Sequence, residues 1–111
     1  MYHPRLIEWL EKITSEDYLP ERALSQSIVI DDGTAEVAID PRTRPVRFAV
    51  FGSPYLIAMM KWLQHMLTCD RISLIKYDMK ALVAEFDLPE QKRRDAFLIL
   101  RLIEKIADAN K

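Results

Sequence analysis

Cysteine, glycine and net charge are all scarce in this sequence, and each shortage closes off a class of function. The one cysteine, Cys69, permits no disulfide within the chain and excludes a four-thiolate zinc or iron–sulfur site built by a single copy. Such sparing use of cysteine suits the reducing cytoplasm, which is the expected compartment. With only Gly33 and Gly52, there is no glycine-rich loop to cradle a phosphate. Sixteen basic residues against seventeen acidic ones leave a formal net charge of -1 and an isoelectric point near 6.1. No overall field is available to draw in nucleic acid or an anionic membrane, and neither is expected as a partner. Long hydrophobic runs are missing too: the apolar stretch from Pro54 to Leu67 is broken by Lys61, Gln64 and His65 and falls short of the roughly 20 residues a bilayer requires. The N-terminal residues lead into an amphipathic stretch, without the charged-then-apolar order of a signal peptide.

What remains is the composition of a folded domain. The chain has 111 residues, 50% hydrophobic and 30% charged, which is far from the balance that keeps a chain disordered. A chain of this length buries about two-thirds of its unfolded surface around one core, so residues 1–111 read as a single domain.

Periodicity divides the chain into an α+β order. Leu6, Ile7, Trp9, Leu10 and Ile13 recur at helical spacing with Glu8, Glu11 and Lys12 between them, predicting a first helix from Tyr2 to Ile13. Ser27 to Asp31 and Thr34 to Ile39 flank Asp32-Gly33, a dipeptide suited to a tight hairpin turn. In the second of these strands Ala35, Val37 and Ile39 alternate with Thr34, Glu36 and Ala38, which predicts one buried and one wet face. A proline-flanked turn follows, and Val46 to Phe51 is a third strand of an antiparallel meander. Ser53-Pro54 is a good helix start, because serine can cap free N–H groups and proline suits the first helical position. A largely apolar helix from Ser53 to Leu67, a short broken helix over Thr68 to Tyr77, and another from Asp78 to Phe86 come next. Leu88-Pro89 stops that helix, and Glu90 to Ala109 closes the chain with Ala96, Ile99, Leu100, Ile103 and Ala107 on its apolar stripe. The helices are expected on one face of the sheet, with Trp9 and Trp62 at least partly buried.

No set of residues forms a recognisable catalytic group. Gly52-Ser53-Pro54 lacks the second glycine of a nucleophile elbow and reads as a helix start, and Asp31-Asp32-Gly33 lacks the further acidic positions of a calcium loop and reads as a plain turn. His65 and Cys69 stand four apart on a helix, the spacing of a metal chelate, but a closed zinc site needs four ligands and only two are visible. His3 is terminal and reads as solvated. Met59, Met60 and Met66 are read as fillers of the core. Lys92-Arg93-Arg94 puts positive charge at a helix start, where the dipole disfavours it; the run is either a solvated surface or a contact for an acidic partner.

The order of these elements resembles the IscU/NifU-type iron–sulfur cluster scaffolds. Val46-Arg47-Phe48-Ala49-Val50-Phe51-Gly52 is similar to the family's third strand, which ends in an aromatic-glycine pair before a cluster cysteine. The spacing from Gly52 to Leu88-Pro89 also resembles the family's, as does the opening helix from Tyr2 to Trp9. Leu88-Pro89-Glu90-Gln91-Lys92 is similar to the Leu-Pro-Pro-Val-Lys segment by which a specialised chaperone holds those scaffolds, with Glu90-Gln91 in place of Pro-Val.

The resemblance implies a cluster site at Asp31, Gly33, Ser53, Arg94 and Asp95, where the family has cysteine, aspartate, cysteine, histidine and cysteine. Serine, arginine and aspartate cannot replace three thiolates around a soft cluster, so a degenerate scaffold without cofactor or catalytic residues is implied. Arg94 beside Asp95 is expected to close the site as a charge-assisted pair. The implied partner is a protein, a cysteine desulfurase or a chaperone of iron–sulfur assembly, docking at Leu88, Pro89, Glu90, Gln91, Lys92 and Arg93. Two alternatives stand beside it: an interaction module unrelated to iron–sulfur assembly, and a metal-binding scaffold completed by a second subunit.

Overall fold

The computed structural model describes residues 4–14, 17–18, 27–40, 46–69 and 77–109. Helix α1 (Pro4–Glu11) leads to strands β1 (Ile28–Asp31), β2 (Glu36–Asp40) and β3 (Arg47–Phe51). Helices α2 (Pro54–Cys69), α3 (Met79–Phe86) and α4 (Arg93–Ala109) complete the order, with a 3-10 turn at Glu90–Lys92 ahead of α4. The three strands pair antiparallel in the order β1-β2-β3, the expected meander.

The register follows the apolar pattern. Ile30 faces Val37 across the first pair, and Ile39 faces Phe48 across the second, so these side chains share one face of the sheet. All four are buried there, where α2 packs on β3 and α4 packs on β1. Helix α1 packs on α2 and α3 on α4, behind the two central helices. Trp62 lies in the middle at 2% exposure, with the rings of Tyr77 and Phe86 at 4.9 and 6.0 Å. Trp9 is half-buried, and Met59 and Met60 are fully enclosed while Met66 is half-buried.

Several expectations need correction. The first hairpin is closed by four residues, Asp32 to Ala35, because Asp31 pairs with Glu36. Of the two expected turn residues only Gly33 has a positive φ, at 89°. Strand β2 is buried on both sides, Ala38 and Asp40 included; the small Ala38 side chain lies in the central strand between its cross-strand partners Val29 and Ala49. Ile7 faces outward at 38% exposure, so the apolar arc of α1 is narrower than its spacing suggested. On α4 the buried stripe is Asp95, Leu98, Ile99, Leu102 and Ile106 with Ala96 and Ile103 beside them, whereas Leu100 and Ala107 lie at its rim. The expected helix over Thr68 to Tyr77 falls mostly outside the described residues; α2 itself runs on to Cys69. Tyr2, His3 and the Pro41-to-Pro45 turn also lie outside them.

The polar residues that interrupt α2 have a structural purpose. Lys61 Nζ donates to Asp17 Oδ2 at 2.9 Å and to Gln64 Oε1 at 2.7 Å. Gln64 Nε2 donates to Asp17 Oδ1 at 2.8 Å and to the Val46 carbonyl at 2.7 Å. The Thr14 N–H closes the set on Asp17 Oδ2. Burial raises the Asp17 carboxyl, yet the bonds from Gln64, Lys61 and Thr14 outweigh it, and its pKa lies below the ordinary value. This network clips the chain after α1 to α2 and to the start of β3. Next to it Tyr18 makes a single parallel bridge with Phe48.

Candidate functional site

The site is assembled where α2 begins, α4 begins and the β1–β2 hairpin turns. Ser53 caps α2: its Oγ accepts the Leu56 N–H at 3.3 Å and its carbonyl accepts the Ile57 N–H at 3.1 Å. The same hydroxyl donates to Asp95 Oδ2 at 2.5 Å, across 42 residues of sequence. Asp95 is buried to 9% exposure in the first turn of α4, an end of the helix that favours negative charge. Gly52, just ahead of the cap, approaches Leu56 so closely that an added Cβ would lie 2.6 Å from a Leu56 methyl.

Arg94 turns the other way. Consecutive helical side chains diverge by about 100°. As Asp95 points in to Ser53, Arg94 points out to the hairpin, where its Nε donates to Asp32 Oδ2 at 3.1 Å. The expected Arg94–Asp95 pair is therefore replaced by two separate contacts, Ser53–Asp95 and Arg94–Asp32.

Asp32 is fixed before Arg94 reaches it. Its Oδ1 accepts the N–H groups of Thr34 and Ala35 at 2.9 and 2.8 Å, and the Thr34 hydroxyl at 2.9 Å. The backbone N–H of Thr34 above all, then that of Ala35 and the hydroxyl, hold its carboxyl down at a pKa of about 2, and Arg94 adds a smaller share. Asp31 and Gly33 are occupied with each other, the Gly33 N–H donating to Asp31 Oδ1 at 2.8 Å. The hairpin side chain that meets α4 is thus Asp32, lying between the two positions marked by the resemblance. The signal for it was present, since aspartate before glycine with threonine two residues on is an Asx-turn pattern.

Iron–sulfur chemistry does not fit this donor set. The groups in place are a hydroxyl, carboxylates and a guanidinium, each already hydrogen-bonded to protein, and none is a thiolate. Cys69 sits at the opposite end of α2 from Ser53, about 24 Å away at 1.5 Å per residue. There its Sγ lies 3.8 Å from His65 Nδ1, both residues exposed, with the Trp9 ring 5.5 Å from the imidazole. Among the described residues no three histidine, cysteine, aspartate or glutamate side chains are grouped to hold a metal ion.

The segment expected to dock a partner divides into core and surface. Leu88 is 6% exposed and belongs to the core, so its side chain is withdrawn from the surface. Pro89 and Lys92 are half-buried, while Glu90, Gln91 and Arg93 are exposed. Pro89, at φ -67° and extended ψ, starts the 3-10 turn, and the Lys92 N–H donates to its carbonyl at 2.9 Å. The 3-10 geometry is why α4 begins at Arg93 rather than Glu90. No helix among the described residues is long and apolar enough to cross a membrane. Compared with family models, curated proteins and solved structures, the chain matches none.

Proposed function

We propose that this domain is a scaffold-like protein of iron–sulfur cluster assembly that has lost its cluster ligands and acts as a non-catalytic regulator or adaptor by binding protein. One observation carries the reading. The segments marked by the resemblance, far apart in sequence, both reach the first turn of α4, Ser53 bonding to Asp95 and the hairpin's Asp32 to Arg94. Where a scaffold would need open thiolates, this domain has hydrogen bonds that hold α2, α4 and the hairpin together. What a scaffold retains without its cluster is its surface, and binding partners of assembly in the cytoplasm is the activity left to it.

The test is direct binding of the purified domain to a purified cysteine desulfurase and to the specialised scaffold chaperone, by titration calorimetry. Saturable one-to-one binding to either supports the reading. Absence of heat with both, at concentrations where an intact scaffold binds, rejects it.

A further inference from the structure

Beside the closed site, the outward face of α4 carries a groove of about 380 Å³ between the hairpin turn and the start of α3. Its cations are Arg93, Arg94 and Arg101, and its apolar surface comes from Met79, Leu98 and Phe97. Phe97 is 59% exposed, a large ring left in water on a helix whose other large apolar residues are mostly enclosed. Arg93, Phe97 and Arg101 are four residues apart in turn, so they form one row along the helix. The only carboxylate in the lining is Asp32, and it is already engaged by Thr34, Ala35 and Arg94. Among the described residues neither Arg93 nor Arg101 makes an ion pair.

We propose that this groove docks an acidic segment of a partner protein, one apolar or aromatic side chain packing on Phe97 while flanking carboxylates pair with Arg93 and Arg101. Charge complementarity selects the class. A guanidinium takes a carboxylate in a two-pronged hydrogen bond, and a row of two arginines astride a ring matches a segment with acids on both sides of an apolar anchor. An interface centre of aromatic and arginine side chains is also where binding energy concentrates. Nucleic acid fits less well, because a phosphate backbone needs a continuous basic track and the chain as a whole is slightly acidic. The inference rests on the protein-binding half of the proposed function and is independent of the iron–sulfur half.

The probe is a displayed library of random peptides of roughly twelve residues, selected on the folded domain, followed by fluorescence anisotropy on the winners and on a single-stranded oligonucleotide. Enriched peptides should carry aspartate or glutamate on both sides of a leucine, methionine, phenylalanine or tryptophan. Arg93→Glu with Arg101→Glu should weaken them by about tenfold or more, as loss of charged hydrogen bonds does, and Phe97→Ala should weaken them with the charges intact. Arginine-to-lysine versions should retain part of the affinity. All these side chains are exposed, so circular dichroism should show an unchanged fold. Failure to enrich any peptide, winners that are neutral or basic, binding indifferent to the double reversal, or tighter binding of the oligonucleotide would each overturn the proposal. Because the peptides are random, a positive result survives even if the desulfurase and chaperone do not bind.

Discussion

At the scale of single residues, Ser53 does two jobs with one hydroxyl, accepting from the Leu56 N–H and donating to Asp95. Ser53→Ala removes the cap and leaves a buried carboxylate short of a donor, so a loss of about 1–3 kcal/mol is expected in chemical denaturation. Ser53→Thr, which keeps the hydroxyl, should recover most of it. Combining Ser53→Ala with Asp95→Asn should cost less than the two single losses added together, since the pair shares one bond. Asp17 and Asp32 make a separate prediction about pH. Both carboxyls are lower in the folded state than the ordinary 3.8, Asp32 at about 2, so both contribute stability above that value and lose it as pH falls. Denaturation midpoints should fall between about pH 4 and pH 2, and Asp17→Asn and Asp32→Asn should each flatten that fall, from a lower starting stability. Parallel curves for wild type and both variants would contradict the assignment.

Among the elements, α3 has the sharpest boundaries and the clearest test. Asp78 caps its start, accepting the Ala81 N–H at 2.9 Å, and Asp87 ends it in the left-handed conformation at φ 50°. Glycine tolerates that conformation without a Cβ penalty, so Asp87→Gly is expected to leave stability unchanged or raise it by up to about 1 kcal/mol, whereas a β-branched Asp87→Val should lower it. Thermal melts of the two variants should move apart. The stop at Leu88-Pro89 and the alternation of β3 were legible in the sequence because they depend on near neighbours, whereas the burial of β2 on both faces depends on the strands beside it. What sequence could not supply was the direction of side chains set by distant elements. Arg94 and Asp95 are adjacent in the chain, yet one meets the hairpin and the other meets α2. Lys61 and Gln64 looked like interruptions of an apolar helix until Asp17 appeared beside them. Periodicity places Arg101 off the apolar stripe but does not join it to Phe97 in a groove, because a groove is made by the elements around it and has no period of its own.

For the whole molecule, the decisive question is what iron and sulfide do when offered to it. The marked positions supply oxygen and guanidinium groups, and the lone thiol lies about 24 Å away at the far end of α2, a distance fixed by the rigid helix between them. Reconstitution with iron and sulfide under reducing conditions is therefore expected to leave no visible-absorbing cluster on the monomer after gel filtration. Two copies of the chain offer a route around this geometry. Exposed Cys69 and His65 from each would bring two sulfurs and two imidazoles together at a dimer contact, one arrangement open to a scaffold completed by a second subunit. The two readings diverge in size, colour and mutational response. A degenerate adaptor remains colourless at every concentration, and Cys69→Ser changes nothing but the thiol count. A shared site gives a stoichiometric chromophore that elutes as a dimer, grows with protein concentration and disappears in Cys69→Ser while Ser53→Ala leaves its colour intact. Observation of that second pattern would replace the adaptor reading with a metal centre at the opposite end of α2.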